Sequence, residues 1–146
     1  MPKRFTLAEA QQLIPEVERV VRDAVALKSE YGQAERALQS FTERIMLMGG
    51  MLVDLARAYE VRTRRDEVAA QLRNSIEQLQ GLGCVVKDLD IGLVDFPTLF
   101  RGEEVYLCWK LGEHDIGFWH GVDEGFRGRK AIDQDFREHH RGEREQ

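Results

Sequence analysis

A histidine with carboxylates nearby is the strongest candidate for chemistry in this sequence. His120 ends an apolar stretch, a glycine follows it, and Asp123 lies three residues further on. An imidazole at a strand end and carboxylates from the next turn can together bind a divalent metal ion. Glu113, in the preceding turn, offers another oxygen, so the predicted ligand set is His120, Asp123 and Glu113. The spacing matches no established zinc motif, and a histidine hydrogen-bonded at a sheet edge is the alternative interpretation.

Two aspartates, Asp88 and Asp90, form a second candidate group. On one turn both carboxylates can point at one cation, as they do in oxygen-ligand loops. The segment lacks the alternating ligands and the distal glutamate of a calcium loop. Aspartates commonly stabilise turns through side-chain hydrogen bonds to the backbone, and we favour that interpretation for both residues.

Asp95 lies between Val94 and Phe96 in an apolar run, where a carboxylate needs a partner. Arg127 and Arg129 are the predicted partners, because the arginine fork matches the two oxygens of a carboxylate. The same arginines are candidates for binding an anion such as phosphate. Their segment lacks the strand-to-helix context of a phosphate-binding loop, so internal salt bridging is at least as good an explanation.

The sequence carries no motif for nucleophilic catalysis. It contains no Gly-x-Ser-x-Gly elbow, and neither Cys84 nor Cys108 has a histidine close to it in sequence. Each cysteine lies within an apolar run, which predicts reduced, buried thiols and a cytoplasmic protein. Acid–base catalysis by a carboxylate pair stays open, because nine acidic residues share the segment 81–125.

The charge of the chain is unevenly distributed. Residues 1–80 carry 12 basic and 12 acidic side chains, whereas residues 81–125 carry 3 basic and 9 acidic ones. So acidic a segment repels phosphate backbones, and nucleic acid is not an expected partner. It is compatible with a cation site or with a solvated acidic surface. No apolar run approaches the roughly 20 residues of a membrane span, so no membrane partner is expected either.

Two long helices are predicted to precede the acidic segment. Thr6 and Glu9 are spaced as a capping box, which marks a helix start. A coiled-coil-like series of apolar residues then recurs every seven positions, namely Ala10, Val17, Ala24, Tyr31, Leu38, Ile45, Leu52 and Tyr59. We predict a helical hairpin over residues 6–80 that turns at Gly49-Gly50, and a single longer helix is the alternative. An apolar series of this length predicts that a second chain covers it, which would make the protein a homodimer through this helical seam.

Residues 83–129 have the pattern of a small antiparallel sheet. Apolar and polar residues alternate along 104–111, a turn follows at 112–115, and the chain returns at 116–120. Treating 112–115 as a tight hairpin turn predicts that Leu107 faces His120. The predicted fold class is therefore α+β, with a long N-terminal helical hairpin followed by a small antiparallel β-meander.

The domain organisation follows from these elements. Residues 1–130 are predicted to form one domain, with the hairpin over about 6–80 and the β-segment over about 83–129. Residues 131–146 are polar, highly charged and without a hydrophobic period. They are predicted to be a disordered tail.

Several motifs are long enough to compare with known families. They are Phe-Thr-Leu-x-Glu-Ala at 5–10, Leu-Ile-Pro-Glu-Val at 13–17, Leu-Gly-Cys-Val-Val-Lys-Asp-Leu-Asp-x-Gly-Leu-Val-Asp-Phe-Pro at 82–97, Glu-Val-Tyr-Leu-Cys-Trp-x-Leu-Gly-Glu at 104–113 and Phe-Trp-His at 118–120. Together they resemble an uncharacterised bacterial family catalogued as domain of unknown function 2203, over about residues 5–130. The resemblance implies a bacterial cytoplasmic protein of one domain, and it brings no activity, cofactor or catalytic residue.

Two functions of different classes fit these observations. The first is a non-catalytic dimeric assembly or binding module, whose helical hairpin contacts a second copy or another protein and whose β-segment carries a candidate cation site. The second is a small metal-dependent hydrolase that uses His120, Asp123 and Glu113 around a divalent ion. We prefer the first, because it needs only the long seam and no catalytic motif.

Overall fold

A computed structural model describes residues 3–48 and 54–142. Two long helices, α1 (Leu7–Met48) and α2 (Leu55–Gly81), precede a six-stranded antiparallel sheet. The strands are β1 (Val85–Asp88), β2 (Leu93–Phe100), β3 (Glu103–Lys110), β4 (Phe118–Gly121), β5 (Lys130–Ala131) and β6 (His140–Arg141). A 3-10 turn (Phe126–Gly128) and a short helix, α3 (Gln134–His139), separate the last strands. The predicted α+β class, a helical hairpin followed by a β-meander, is confirmed.

The helical hairpin begins as the sequence predicts. The Glu9 N–H donates to Thr6 Oγ1 at 3.1 Å, and the Thr6 N–H donates to Glu9 Oε1 at 2.9 Å, which is a capping box. The two helices pack against each other, and an ion pair between Arg64 and Glu30 crosses from one to the other. The predicted turn at Gly49-Gly50 lies outside the described residues. No helix within residues 3–48 and 54–142 is long and apolar enough to cross a membrane.

Strand β2 pairs with three other strands of the sheet, namely β1, β3 and β6. The strand order is β1-β2-β3-β4-β5, and β6 also pairs with β2. Because β3 pairs along the whole of β2, β1 and β6 share its other edge, β1 at residues 93–95 and β6 at residues 99–100. Between them the Phe5 N–H donates to the Pro97 carbonyl at 2.7 Å. The chain ahead of α1 and the C-terminal segment therefore both join the sheet at this edge.

The pairing of β3 with β4 differs from the predicted one by one residue. Leu107 faces Trp119, so the predicted pairing of Leu107 with His120 is wrong. The reason is that residues 111–117 form an irregular loop instead of a tight turn. The Ile116 N–H donates to the side-chain oxygen of Gln11 on α1, at 3.0 Å. A one-residue shift moves a side chain to the other face of a sheet, so His120 lies on the face opposite Leu107.

The core lies between α1 and one face of the sheet. From the sheet it contains Val94, Phe96, Leu107 and Trp109, all fully buried. From α1 it contains a stripe of small and branched side chains, namely Leu7, Ala10, Ile14, Val17, Val20, Val21 and Ala24. The seven-residue series therefore divides, because its members up to Ala24 are buried while Ile45 and Tyr59 are exposed.

The C-terminal segment is folded, which corrects the predicted disordered tail for residues 131–142. Its helix α3 packs Phe136, which is fully buried, against two aromatic rings of the sheet. The ring centroids of Phe100 and Trp119 lie 4.9 and 5.0 Å from that of Phe136. One aromatic residue in a polar sequence produces no hydrophobic period, so the pattern gave no signal. Residues 143–146 lie outside the described part of the chain.

Phe136→Ala should lower the free energy of unfolding by about 3–5 kcal/mol, because it removes a fully buried aromatic ring. Urea denaturation of the full chain measures this change. Phe126→Ala is the matched control, since Phe126 is 38% exposed and should lose far less. Equal losses in the two variants would show that α3 does not dock on the sheet.

Cys84 and Cys108 are both buried and unpaired. Burial raises the pKa of the Cys84 thiol from 9.0 to about 12. As the pH rises above 9 the unfolded thiol ionises while the native thiol stays neutral, so stability present below pH 9 is lost. Between pH 8 and pH 10 this loss amounts to about 1 kcal/mol. Cys84→Ala should show a correspondingly smaller fall in unfolding free energy, and equal falls would contradict the assignment.

Candidate functional site

The face of the sheet opposite α1 carries a small group of buried polar side chains. Asp95 on β2 and Cys108 on β3 are directly opposite each other in the register. His120 on β4 faces Tyr106, which lies two residues before Cys108 on the same face of β3. Three neighbouring strands thus bring a carboxylate, a thiol and an imidazole to one place. Asp95 and Cys108 are fully buried, and His120 is 2% exposed.

His120 is held through both ring nitrogens. Its Nδ1 lies 2.8 Å from the Gly121 carbonyl oxygen, and its Nε2 lies 2.9 Å from Asp95 Oδ2. A neutral imidazole has one N–H, so it cannot donate to both oxygens. One further proton must therefore reside on the pair, either on the imidazole or on the Asp95 carboxyl. Burial raises the pKa of Asp95, and His120 and Lys87 act in the opposite direction.

The second oxygen of Asp95 is unsatisfied. Asp95 Oδ1 is buried and has no hydrogen-bond partner among residues 3–48 and 54–142. Lys87 Nζ is 4.0 Å from the other oxygen, too far for a hydrogen bond. An unpaired buried acceptor costs about 1–3 kcal/mol. The predicted arginine partner of Asp95 is thus replaced by His120, which leaves one oxygen free to bind something else.

Cys108 is a thiol in this arrangement. Burial raises its pKa to about 11, although the Arg129 guanidinium, with one nitrogen 3.8 Å from Sγ, opposes this shift. At neutral pH the group is protonated, and a protonated, buried thiol is a poor nucleophile. Its sulfur is, however, a donor atom for a soft or borderline metal ion, which displaces the proton on binding.

A half-buried ion pair borders the group. Arg129 binds both oxygens of Glu113, at 3.2 and 2.5 Å, and Glu113 Oε1 also accepts the Lys110 N–H at 2.8 Å. The guanidinium lies 3.9 Å from the ring centroid of Phe118 and 4.5 Å from that of Phe126. Arg129 therefore forms its ion pair with Glu113, which corrects the expectation that Arg129 would pair with Asp95.

The structure brings His120 together with Asp95 and Cys108, and not with Glu113 or Asp123. In the described part of the chain, one group of three or more His, Cys, Asp or Glu residues has donor atoms within 4.8 Å of one another, and it is Asp95, Cys108 and His120. Asp123 is exposed. Sequence reasoning missed Cys108, because the predicted register placed it on the opposite face of the sheet from His120.

The motifs noted in the sequence agree with a family comparison. A family model described as "Uncharacterized conserved protein (DUF2203)" matches residues 3–132. The chain belongs to this family. No curated protein and no solved structure shows significant similarity to this chain. Since the family description names no activity, the function of this DUF2203 protein has to be argued from its geometry.

The remaining predicted residues of the DUF2203 chain have structural partners or lie at the surface. The Asp90 N–H donates to Asp88 Oδ1 at 2.9 Å, as the turn interpretation predicts, and Asp90 also pairs with Lys28 at 2.8 Å. Arg127 is exposed on the 3-10 turn. The turn after β4 is closed by Glu124, which accepts the Gly121 N–H at 2.8 Å.

Arg129 and Arg127 should differ sharply in their effect on stability. Arg129→Ala leaves a half-buried Glu113 without its partner and should cost about 1.5–3 kcal/mol of unfolding free energy. Arg127→Ala, the same substitution at an exposed neighbour, should change it by no more than about 0.5 kcal/mol. Urea denaturation measures both. A double-mutant cycle with Glu113→Gln should return a coupling of about 1 kcal/mol or more, and no coupling would mean that the pair does not stabilise the fold.

Proposed function

We propose that this DUF2203 protein is a cytoplasmic, non-catalytic assembly module that forms a homodimer through the distal hairpin, defined as residues 31–48 and 54–67. The supporting observation is a set of large apolar side chains that are exposed at the end of α1 and at the start of α2. They are Ile45 (43% exposed), Met46 (80%), Leu47 (83%), Leu55 (71%) and Tyr59 (71%). Soluble monomers rarely gather so many exposed apolar side chains at one end without an interaction to bury them.

The distal hairpin is thinly covered by its own chain. Among its described residues, only half-buried and exposed side chains occur, whereas the part of α1 up to Ala24 lies in the core. Tyr31 and Leu38 continue the seven-residue stripe and are half-buried. Two helices alone cannot enclose such a stripe, and four can. Each large apolar side chain that becomes buried contributes about 1.5–3 kcal/mol.

A second copy of the chain suits this surface. The first 80 residues carry equal numbers of basic and acidic side chains, so two hairpins meet without net repulsion. A two-fold symmetric contact uses the same patch on both subunits, and therefore buries every exposed apolar residue twice. We place the two hairpins side by side as a four-helix bundle, with the sheets at its outer ends.

The metal-dependent hydrolase is the alternative, and the geometry favours it less. His120 is buried beneath the outer face, whereas a hydrolytic site must admit both a substrate and water. Glu113 is engaged by Arg129 and is not available as a ligand or a general base in this arrangement. A cation at His120 would therefore support the fold of the module.

Leu47→Glu and Leu55→Glu should each weaken the dimer by about tenfold or more, which corresponds to about 1.4 kcal/mol. Both residues are exposed in the single chain, so their substitution should leave the helix content unchanged. Sedimentation equilibrium measures the association, with the single chain at 16.9 kDa and the dimer at twice that mass. Circular dichroism checks the fold.

Gln12→Glu provides the matched control, because it adds the same charge at an exposed polar position of α1 that lies outside the distal hairpin. It should leave the dimer constant within about twofold. The proposal is wrong if the unmodified protein sediments as a single chain at every concentration, or if the control weakens association as much as the two leucine variants do.

A further inference from the structure

The buried group of Asp95, Cys108 and His120 is not used by the assembly function. It lies on the outer face of the sheet, on strands β2, β3 and β4, and the distal hairpin contributes nothing to it. We propose that these three residues form a structural zinc site that locks the three strands together. The site differs from the predicted ligand set in both of its other ligands, because Asp95 and Cys108 take the places of Asp123 and Glu113.

The donor set suits zinc. Imidazole nitrogen, thiolate sulfur and carboxylate oxygen are the three kinds of ligand that Zn²⁺ binds in proteins. Around a tetrahedral zinc the donor atoms lie about 3.3–3.8 Å apart. Here they lie within 4.8 Å of one another, and His120 Nε2 is 2.9 Å from Asp95 Oδ2. Small side-chain rotations are enough to reach a binding arrangement.

His120 is already oriented as a metal ligand. Its Nδ1 is directed at the Gly121 carbonyl, 2.8 Å away, which leaves Nε2 facing Asp95 and Cys108. Histidines that bind metals usually donate their other ring N–H to a carbonyl or carboxylate in this way, because the contact fixes both the tautomer and the ring. The proton now shared with Asp95 occupies the position where a metal ion would bind.

Asp95 supplies independent support, since its Oδ1 is buried without a partner among the described residues. Such an atom in a folded protein needs an explanation. The neighbouring Cys108 thiol lowers the pKa of Asp95 but is only a weak hydrogen-bond donor, whereas a bound cation would satisfy the oxygen. With one oxygen from Asp95, the three side chains supply three of the four ligands of a tetrahedral zinc ion, and a water molecule can supply the fourth.

The charges around the group are compatible with a dication. Carboxylate and thiolate together contribute two negative charges, which a zinc ion neutralises once both the thiol proton and the proton held between His120 and Asp95 have left to solvent. Two cations lie close by, Arg129 at 3.8 Å from the sulfur and Lys87 at 4.0 Å from Asp95. Arg129 is neutralised by Glu113, and Lys87, with 36% of its side chain exposed, is free to swing toward solvent.

Cobalt substitution tests the site directly. The full chain without an affinity tag is stripped with a chelator and titrated with Co²⁺, whose spectrum reports both thiolate ligation and tetrahedral geometry. We expect one Co²⁺ per chain, a thiolate charge-transfer band in the near ultraviolet, and displacement of the cobalt by one equivalent of Zn²⁺. Elemental mass spectrometry after dialysis gives the zinc stoichiometry, and zinc should raise the thermal midpoint. Absence of the thiolate band in the unmodified chain would overturn the proposal.

Variants identify the ligands. Cys108→Ser should lose the charge-transfer band, while Cys84→Ser, a change at the other buried cysteine, should keep it. His120→Gln should weaken zinc binding by at least about tenfold, while His114→Ala, at an exposed histidine, should not. Asp123→Asn should also retain the metal, and its loss there would favour the ligand set expected from sequence. Circular dichroism confirms that each variant is folded, and metal retained by both Cys108→Ser and His120→Gln would refute the site.

Discussion

The architecture depends on one buried contact, between the first turns of α1 and the apolar face of the sheet. Large rings and branched side chains from β2 and β3 meet small residues such as Ala10 and Val17 on the helix, which lets the two layers approach closely. The helix does not cover the whole face. Phe100 and Trp119 extend beyond it, and Phe136 from the C-terminal helix covers them. The C-terminal segment is therefore part of the core, although its composition is polar.

The outer face of the sheet differs from the face that packs on α1, because it carries buried polar side chains. A polar residue buried there has to find its partners on the sheet itself or on nearby turns. Asp95 and His120 satisfy each other in part, and Arg129 and Glu113 close one side with a bidentate pair. One carboxylate oxygen has no hydrogen-bond partner among the described residues, and the cation proposed above would supply one.

The sequence predicts where the helices and strands lie better than it predicts the strand register and the side-chain contacts between strands. Apolar periods of seven and two identified the helices and strands, and Thr6 and Glu9 marked the start of α1 correctly. Strand register depends on loop geometry, which the glycine-containing turn at 112–115 did not reveal. The one-residue error in the predicted register separated His120 from Cys108. It therefore gave no indication that Asp95, Cys108 and His120 lie together. The apolar run around Asp95 indicates that its carboxylate needs a partner. Charge alone favours Arg127 and Arg129 over His120, and only the strand register brings His120 to Asp95.

The dimensions of the helices and of the sheet explain why the hairpin is left uncovered. The buried part of α1, from Leu7 to Ala24, is about 27 Å long, and an eight-residue strand such as β2 is about as long. The whole helix has 42 residues and reaches about 63 Å. A sheet of this size cannot enclose the remainder, which packs against α2 and is the surface proposed above for the homodimer. The proposed zinc ligands Asp95, Cys108 and His120 lie on the opposite face of the sheet from α1, so they share no residue with the proposed dimer surface. Substitutions at one of these sites should therefore act independently of substitutions at the other.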